Sequence, residues 1–148
     1  MGHHVTITSA QFHIHPDQLD AACQALKDLN KSDKGKSGLN FGLLPDGTRG
    51  ITGRVFSWMP ANYDETMHTA QEILEAVGFT VHMSADDGLV IAGFDGPTGD
   101  EDVFLDALGP FVTAGSYLKW RSEDALLWED RFDGTQRRTF TGHATYIS

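Results

Sequence analysis

Apolar positions along this chain switch between a period of two and a period near 3.6, and each switch marks an element. Residues 5–14 are rich in β-branched and aromatic side chains, with Val5 and Ile7 on one parity and Phe12 and Ile14 on the other. That parity change predicts a first strand that is bulged or covered on both faces. From Pro16, a residue suited to a first helical turn, Leu19, Ala22, Cys23, Leu26 and Leu29 recur at helical spacing and predict a first helix. Residues 30–54 differ in character, with glycines at 35, 38, 42, 47, 50 and 53. They predict a mobile loop, then a hairpin around Pro45-Asp46-Gly47 whose second arm runs on as a strand over residues 55–59 and stops at Pro60.

Asn62 and Glu65 fit a capping box, and Tyr63, Met67, Ala70, Leu74 and Val77 predict a second helix ending at Gly78. Residues 79–83 and 89–94 flank Asp86-Asp87-Gly88, a hairpin signal. Asp100 stands where it can cap a third helix carrying Phe104, Ala107, Leu108 and Phe111, with Gly109-Pro110 interrupting its end. Leu118 and Trp120, then Leu126, Trp128 and Phe132, predict two strands joined at Glu123-Asp124. Asp133-Gly134 marks another tight turn, and a two-residue loop there would set Asp130 opposite Arg137 and Glu129 opposite Arg138. The order predicts one α+β domain over residues 1–148, with an antiparallel or mixed sheet and its helices on one face. Residues 51–121, and equally 5–83, read strand-helix-strand-strand-helix-strand, the ferredoxin-like order, with the C-terminal meander extending the sheet.

Charge changes this picture more than length does. The 148 residues carry a net charge of −10, and it is unevenly spread. Residues 1–54 hold six basic and five acidic side chains, whereas residues 55–148 hold five basic and sixteen acidic ones. From Val55 to Leu118 there is no Lys or Arg at all across 64 residues that carry eleven acids. Such a field favours basic partners and repels phosphate backbones, so direct nucleic-acid binding is not expected unless the few cations cluster. The cations between Lys27 and Arg54 are the candidates for that exception. A lone cysteine, Cys23, cannot form an intramolecular disulfide, and no apolar run approaches the roughly 18 residues of a membrane span. A cytoplasmic protein without a membrane contact is the expectation.

Candidate chemistry is sparse. Gly35-Lys36-Ser37 has the residue types that end a phosphate-binding loop, but Asn30 stands where its first glycine belongs and the segment follows a helix. His13 and His15 are two apart on one strand, with Asp17 nearby and His82 on another strand. They could begin a metal site in a small metal-dependent enzyme, but no cluster supplies the remaining ligands, and neither metal nor cofactor is expected. The acids at 95–106 lack the alternating ligand spacing of a calcium loop, and helix capping explains three of them. Cys23 lies on an apolar stripe, where a thiol acts as a small hydrophobe.

Gly115-Ser116-Tyr117-Leu118-Lys119-Trp120-Arg121-Ser122-Glu123-Asp124, followed by Trp128 and Phe132-Asp133-Gly134, resembles the ending of many small uncharacterised proteins from high-GC bacteria and their phages. The resemblance implies no activity; it places the chain among bacterial or phage accessory proteins. In those relatives glycines often stand at the positions of Ser122 and Ala125.

The functional expectation is a binding protein, more an interaction module than an enzyme. Asp86, Asp87, Asp95, Asp100, Glu101, Asp102 and Asp106 would form an acidic face that docks on a protein with a basic surface. A phage-type inhibitor or regulator of a host nucleic-acid-binding protein would act in this way.

Overall fold

The computed structural model describes residues 4–142. Its strands are β1 (His4–Ile14), β2 (Gly38–Leu43), β3 (Arg49–Val55), β4 (Phe79–Ser84), β5 (Gly88–Pro97), β6 (Tyr117–Ser122), β7 (Leu127–Phe132) and β8 (Arg137–Gly142). The helices are α1 (Leu19–Asp28), α2 (Tyr63–Thr66), α3 (Ala70–Val77) and α4 (Glu101–Leu108). Every strand pairing is antiparallel. Six strands form one sheet in the order β4-β5-β1-β6-β7-β8, and among the described residues β2 and β3 pair only with each other.

The parity change in β1 is resolved by bulges. Its register slips between Thr6 and Phe12 against β5 and between Ile7 and Ser9 against β6, so that Val5, Ile7, Phe12 and Ile14 are all buried. An extra residue in one strand rotates the residues after it onto the other parity, which keeps all four apolar side chains on the core face. That face is covered by the helices. Ala22 and Leu26 of α1, Ile73, Leu74 and Val77 of α3, and Phe104, Leu105 and Leu108 of α4 join one continuous core. Aromatic rings knit it together at close centroid distances: Phe56 to Phe104 at 4.8 Å, Phe12 to Phe132 at 5.1 Å, and Phe94 to Trp120 at 5.3 Å. The opposite face of the sheet carries polar and charged side chains.

Five local expectations are corrected. The second arm of the hairpin ends at Val55, and residues 56–59 form a turn closed by the Met59 N–H on the Phe56 carbonyl oxygen at 3.0 Å, not a strand. The second helix is two short ones, because Met67 is extended and Thr69 starts α3: its hydroxyl accepts the Glu72 N–H at 3.1 Å while the Glu72 carboxylate accepts the His68 N–H. Thr69-to-Glu72 is the capping box that operates; Asn62 makes no side-chain cap. The last turn spans four residues and not two, since the Asp133 carboxylate closes it by accepting the backbone N–H groups of Thr135 and Gln136, each at 2.9 Å. Phe132 therefore faces Arg137, Asp130 faces Thr139 and Glu129 faces Phe140. Leu126 lies in the β6–β7 turn and is exposed. Finally, β3 does not enter the main sheet, so neither 51–121 nor 5–83 supplies four strands to it.

Candidate functional site

The β2–β3 hairpin is an arm, and its sequence explains why it stands apart. Cross-strand pairs Gly38–Val55, Asn40–Gly53 and Gly42–Gly50 share one face, where four of the six residues are glycine and the ribbon's own Thr52 and Leu44 side chains cover Gly42 and Gly50. Pairs Leu39–Arg54, Phe41–Ile51 and Leu43–Arg49 share the other. A bulge at Thr52 lets Ile51 face Phe41, and the Thr52 hydroxyl bonds the Asn40 carbonyl oxygen at 3.2 Å. At the tip the Asp46 carboxylate accepts the Thr48 N–H at 3.0 Å and Gly47 adopts φ +88°, a conformation suited to glycine.

The side-chain face of this arm is apolar and open. Leu39, Phe41, Leu43 and Ile51 are 42, 59, 72 and 54% exposed. Arg49 and Arg54 stand on the same face opposite Leu43 and Leu39. Scattered exposed leucines are ordinary in soluble proteins, but four large apolar side chains on one unsupported two-stranded ribbon are not.

The base of the arm is fixed by Asp100. One oxygen of its carboxylate accepts the backbone N–H of Ser37, just before β2, at 3.2 Å and that of Ser57, just after β3, at 2.8 Å. The two serine hydroxyls meet at 2.7 Å. Lys36, buried beside them, donates to the Asn30 carbonyl at 3.1 Å and lies 5.5 Å from the centre of the Phe56 ring. Glu101 accepts the Gly99 N–H at 2.7 Å and a bond from the Thr98 hydroxyl, shaping the loop on which Trp58 rests. A Cβ at Gly99 would come within 2.9 Å of the Trp58 indole nitrogen. Trp58 holds φ +70°, a strained conformation for so large a residue.

The seven acids expected to form a docking face are thus placed differently from one another. Asp100 and Glu101 are buried and serve the foot of the arm; Asp100 caps no helix. Asp102 and Asp106 are held by Arg137, at 3.0 and 2.7 Å. Asp86 and Asp87 are exposed at the β4–β5 turn, where the Asp87 carbonyl accepts from His13. Asp95 is exposed on the uncovered sheet face, and a hydrogen bond from His4 holds its carboxyl below the usual range.

Arg137 also reaches Asp130, which is fully buried and accepts from the Trp120 indole at 2.9 Å and the Thr139 hydroxyl at 2.7 Å. Burial pushes the Asp130 carboxyl up, and the Arg137 charge opposes that shift. This network ties β8 to α4.

His13 and His15 stand side by side, with ring centres 6.2 Å apart, but His82 does not join them. His13 bonds the Thr113 hydroxyl at 2.9 Å and the Asp87 carbonyl, using both ring nitrogens. His15 accepts the Asp17 N–H at 3.2 Å, and Val90 separates His82 from His13 across the sheet. Among the described residues no three His, Cys, Asp or Glu side chains are grouped to hold a metal ion. Cys23 is half-buried, and burial pushes its thiol up. No described helix is long and apolar enough to cross a membrane.

Comparison with family models, curated proteins and solved structures finds no match to this chain.

Proposed function

We propose that this protein is an interaction module, without catalytic chemistry of its own, that docks on another protein through the β2–β3 arm. The carrying observation is the solvent-facing stripe of Leu39, Phe41, Leu43 and Ile51. Covering the exposed 59% of Phe41 and 72% of Leu43 is worth about 2–4 kcal/mol, at roughly 1.5–3 kcal/mol for a whole side chain. Arg49 and Arg54 beside the stripe favour an apolar recess with an acidic rim, and the unpaired strand edges allow a partner strand to add to the ribbon. The foot clamped by Asp100 lowers the entropy lost when the arm is ordered on its partner. The body supports a ferredoxin-like reading finer than α+β. Without the arm, the chain runs β1-α1-α2-α3-β4-β5-α4-β6 through strands that lie in the order β4-β5-β1-β6, so the ferredoxin-like order is met with three helices in its first crossover.

The test is partner capture from the native host, identification, and reconstitution from purified components. Phe41→Ser with Leu43→Ser should weaken that complex at least tenfold; an unchanged affinity refutes the reading.

A second reading retains a basic partner, as a phage-type inhibitor or regulator of a nucleic-acid-binding protein would meet. It is favoured by the exposed Asp86-Asp87 turn and the net charge of −10, which would steer such a surface. In that case Asp86→Lys with Asp87→Lys slows association at low salt and the arm variants leave it unchanged.

A further inference from the structure

We propose a second binding surface, for single-stranded nucleic acid, on the face of the six-stranded sheet that the helices leave open. Cross-strand pairing fixes which side chains share it. Lys119 pairs with Glu129, and Glu129 with Phe140; Tyr117 pairs with Arg131, and Arg131 with Arg138. Since Leu118 and Trp120 point into the core, Tyr117, Lys119 and Arg121 point away from it. Of the five cations after residue 54, four therefore lie on this face: Lys119, Arg121, Arg131 and Arg138. The fifth, Arg137, is the core-side clamp on Asp130.

The condition that the sequence left open, clustering of its few cations, is met on this face; of the cations between Lys27 and Arg54, Lys36 is buried and Lys31 pairs with Asp28. Two aromatic rings lie among these charges, with Lys119 5.3 Å from the centre of the Tyr117 ring and Arg131 4.6 Å from that of Phe140. Phe140 is exposed. Beside them β1 presents Ser9, opposite Lys119, and Gln11, opposite Tyr117, as hydrogen-bonding groups. Glu129 is enclosed and bonded to Arg131 at 2.7 Å, Asp133 engages Arg138 at 3.3 Å, and Asp95 lies two strands from Arg121 across Thr6, so the four cations outnumber these three carboxylates by one and the face is mixed in charge.

An open sheet face bearing cations and ring faces suits an unpaired strand. Cations track the phosphates while bases stack on the rings, whereas a duplex groove needs a protruding helix or ribbon. Asp102 and Asp106 of α4 are paired with Arg137 on the core side of the sheet, so their charge is offset where it comes nearest the open face. The screening length at physiological salt is about 8 Å, so net charge alone does not forbid the contact.

The test is fluorescence anisotropy of the full chain with a labelled oligothymidine of about 16 nucleotides and with a duplex of equal length, at about 50 mM salt. The expected result is binding of the single strand, at least fivefold tighter than the duplex. Lys119→Glu with Arg121→Glu should reduce it at least tenfold, and Tyr117→Ala several-fold. Lys119→Gln with Arg121→Gln should shallow the slope of log affinity against log salt by about 1.4, or 0.7 for each lost contact. Arg49→Glu in the arm should leave binding unchanged. Absence of binding, equal binding of the duplex, or loss on Arg49→Glu while the Lys119 and Arg121 variants bind normally would each overturn the proposal. Because the arm variants read partner docking and the sheet variants read oligonucleotide binding, the two surfaces fail independently.

Discussion

Replacing Asp100 by Ala strips the acceptor from two backbone N–H groups at once. In the native protein one carboxylate oxygen serves Ser37 and Ser57, at 3.2 and 2.8 Å, and the residue is 8% exposed. Hydrogen bonds to a charged group contribute about 1.5–3 kcal/mol each. Since the Ser37 bond is long and its surroundings are partly wet, about 2–4 kcal/mol is expected for the pair. In a chain of 148 residues that corresponds to a fall in Tm of roughly 5–15 °C. Asp100→Asn keeps an oxygen acceptor without the charge and should lose about half as much. Amide hydrogen exchange gives the site-specific reading: the Ser37 and Ser57 amides should exchange much faster in Asp100→Ala, with the α3 amides unchanged. Helix capping predicts another pattern, faster exchange at the first turn of α4 with Ser37 and Ser57 unaffected. That pattern, or a stability loss below about 0.5 kcal/mol, would refute the clamp.

The same geometry sets three further outcomes. Arg137→Ala leaves the fully buried Asp130 without its counter-charge and should cost about 3–5 kcal/mol at pH 7 in urea unfolding; an Asp130→Asn background should recover much of that loss. The Tyr63 hydroxyl donates to the Leu26 carbonyl at 2.6 Å, and burial pushes its phenol well above its usual value. The folded state therefore holds that proton to higher pH than the unfolded chain, so stability should fall as pH rises above about 10, and Tyr63→Phe should flatten this alkaline slope. At Gly88, with φ +78°, a Cβ would fall against the Ile14 carbonyl oxygen and within 2.9 Å of Pro16; Gly88→Ala should cost at least about 1–3 kcal/mol, measured as a shift in Tm.

How much of the fold the sequence disclosed depends on the reach of its signals. Apolar periodicity and turn residues found β1, α1, β4, β5, α4 and the C-terminal meander, because burial of one face imposes those patterns directly. They did not separate α2 from α3, since Tyr63, Met67 and Ala70 keep helical spacing across the break; the Thr69-to-Glu72 box was the signal that outweighed it. The four-residue turn at Asp133 escaped for a similar reason: Asp-Gly is common to both loop lengths, and the Asp133 carboxylate decides between them. The acid run was legible as charge but not as geometry. Nothing local to Asp100, Glu101, Asp102 and Asp106 indicates that Asp100 would hold the foot of a hairpin more than 40 residues upstream in sequence, or that Arg137 would hold Asp102 and Asp106. The arm itself had a signal that went unused. Leu39, Phe41 and Leu43 alternate with Gly38, Asn40 and Gly42, which face Val55, Gly53 and Gly50 across the ribbon, and a glycine-rich face has little to bury against a sheet.

The central claim, that the β2–β3 arm is the docking surface, is tested most directly by isothermal titration of the identified partner with three purified forms: the native chain, Phe41→Ser with Leu43→Ser, and Asp86→Lys with Asp87→Lys. The arm substitutions are at exposed positions and should leave Tm nearly unchanged. They are expected to abolish binding or weaken it by at least tenfold, while the acidic-turn variant binds normally at moderate salt. Full affinity in the arm variant would contradict the account, and its loss in the Asp86 and Asp87 variant instead would move the site to the acidic turn.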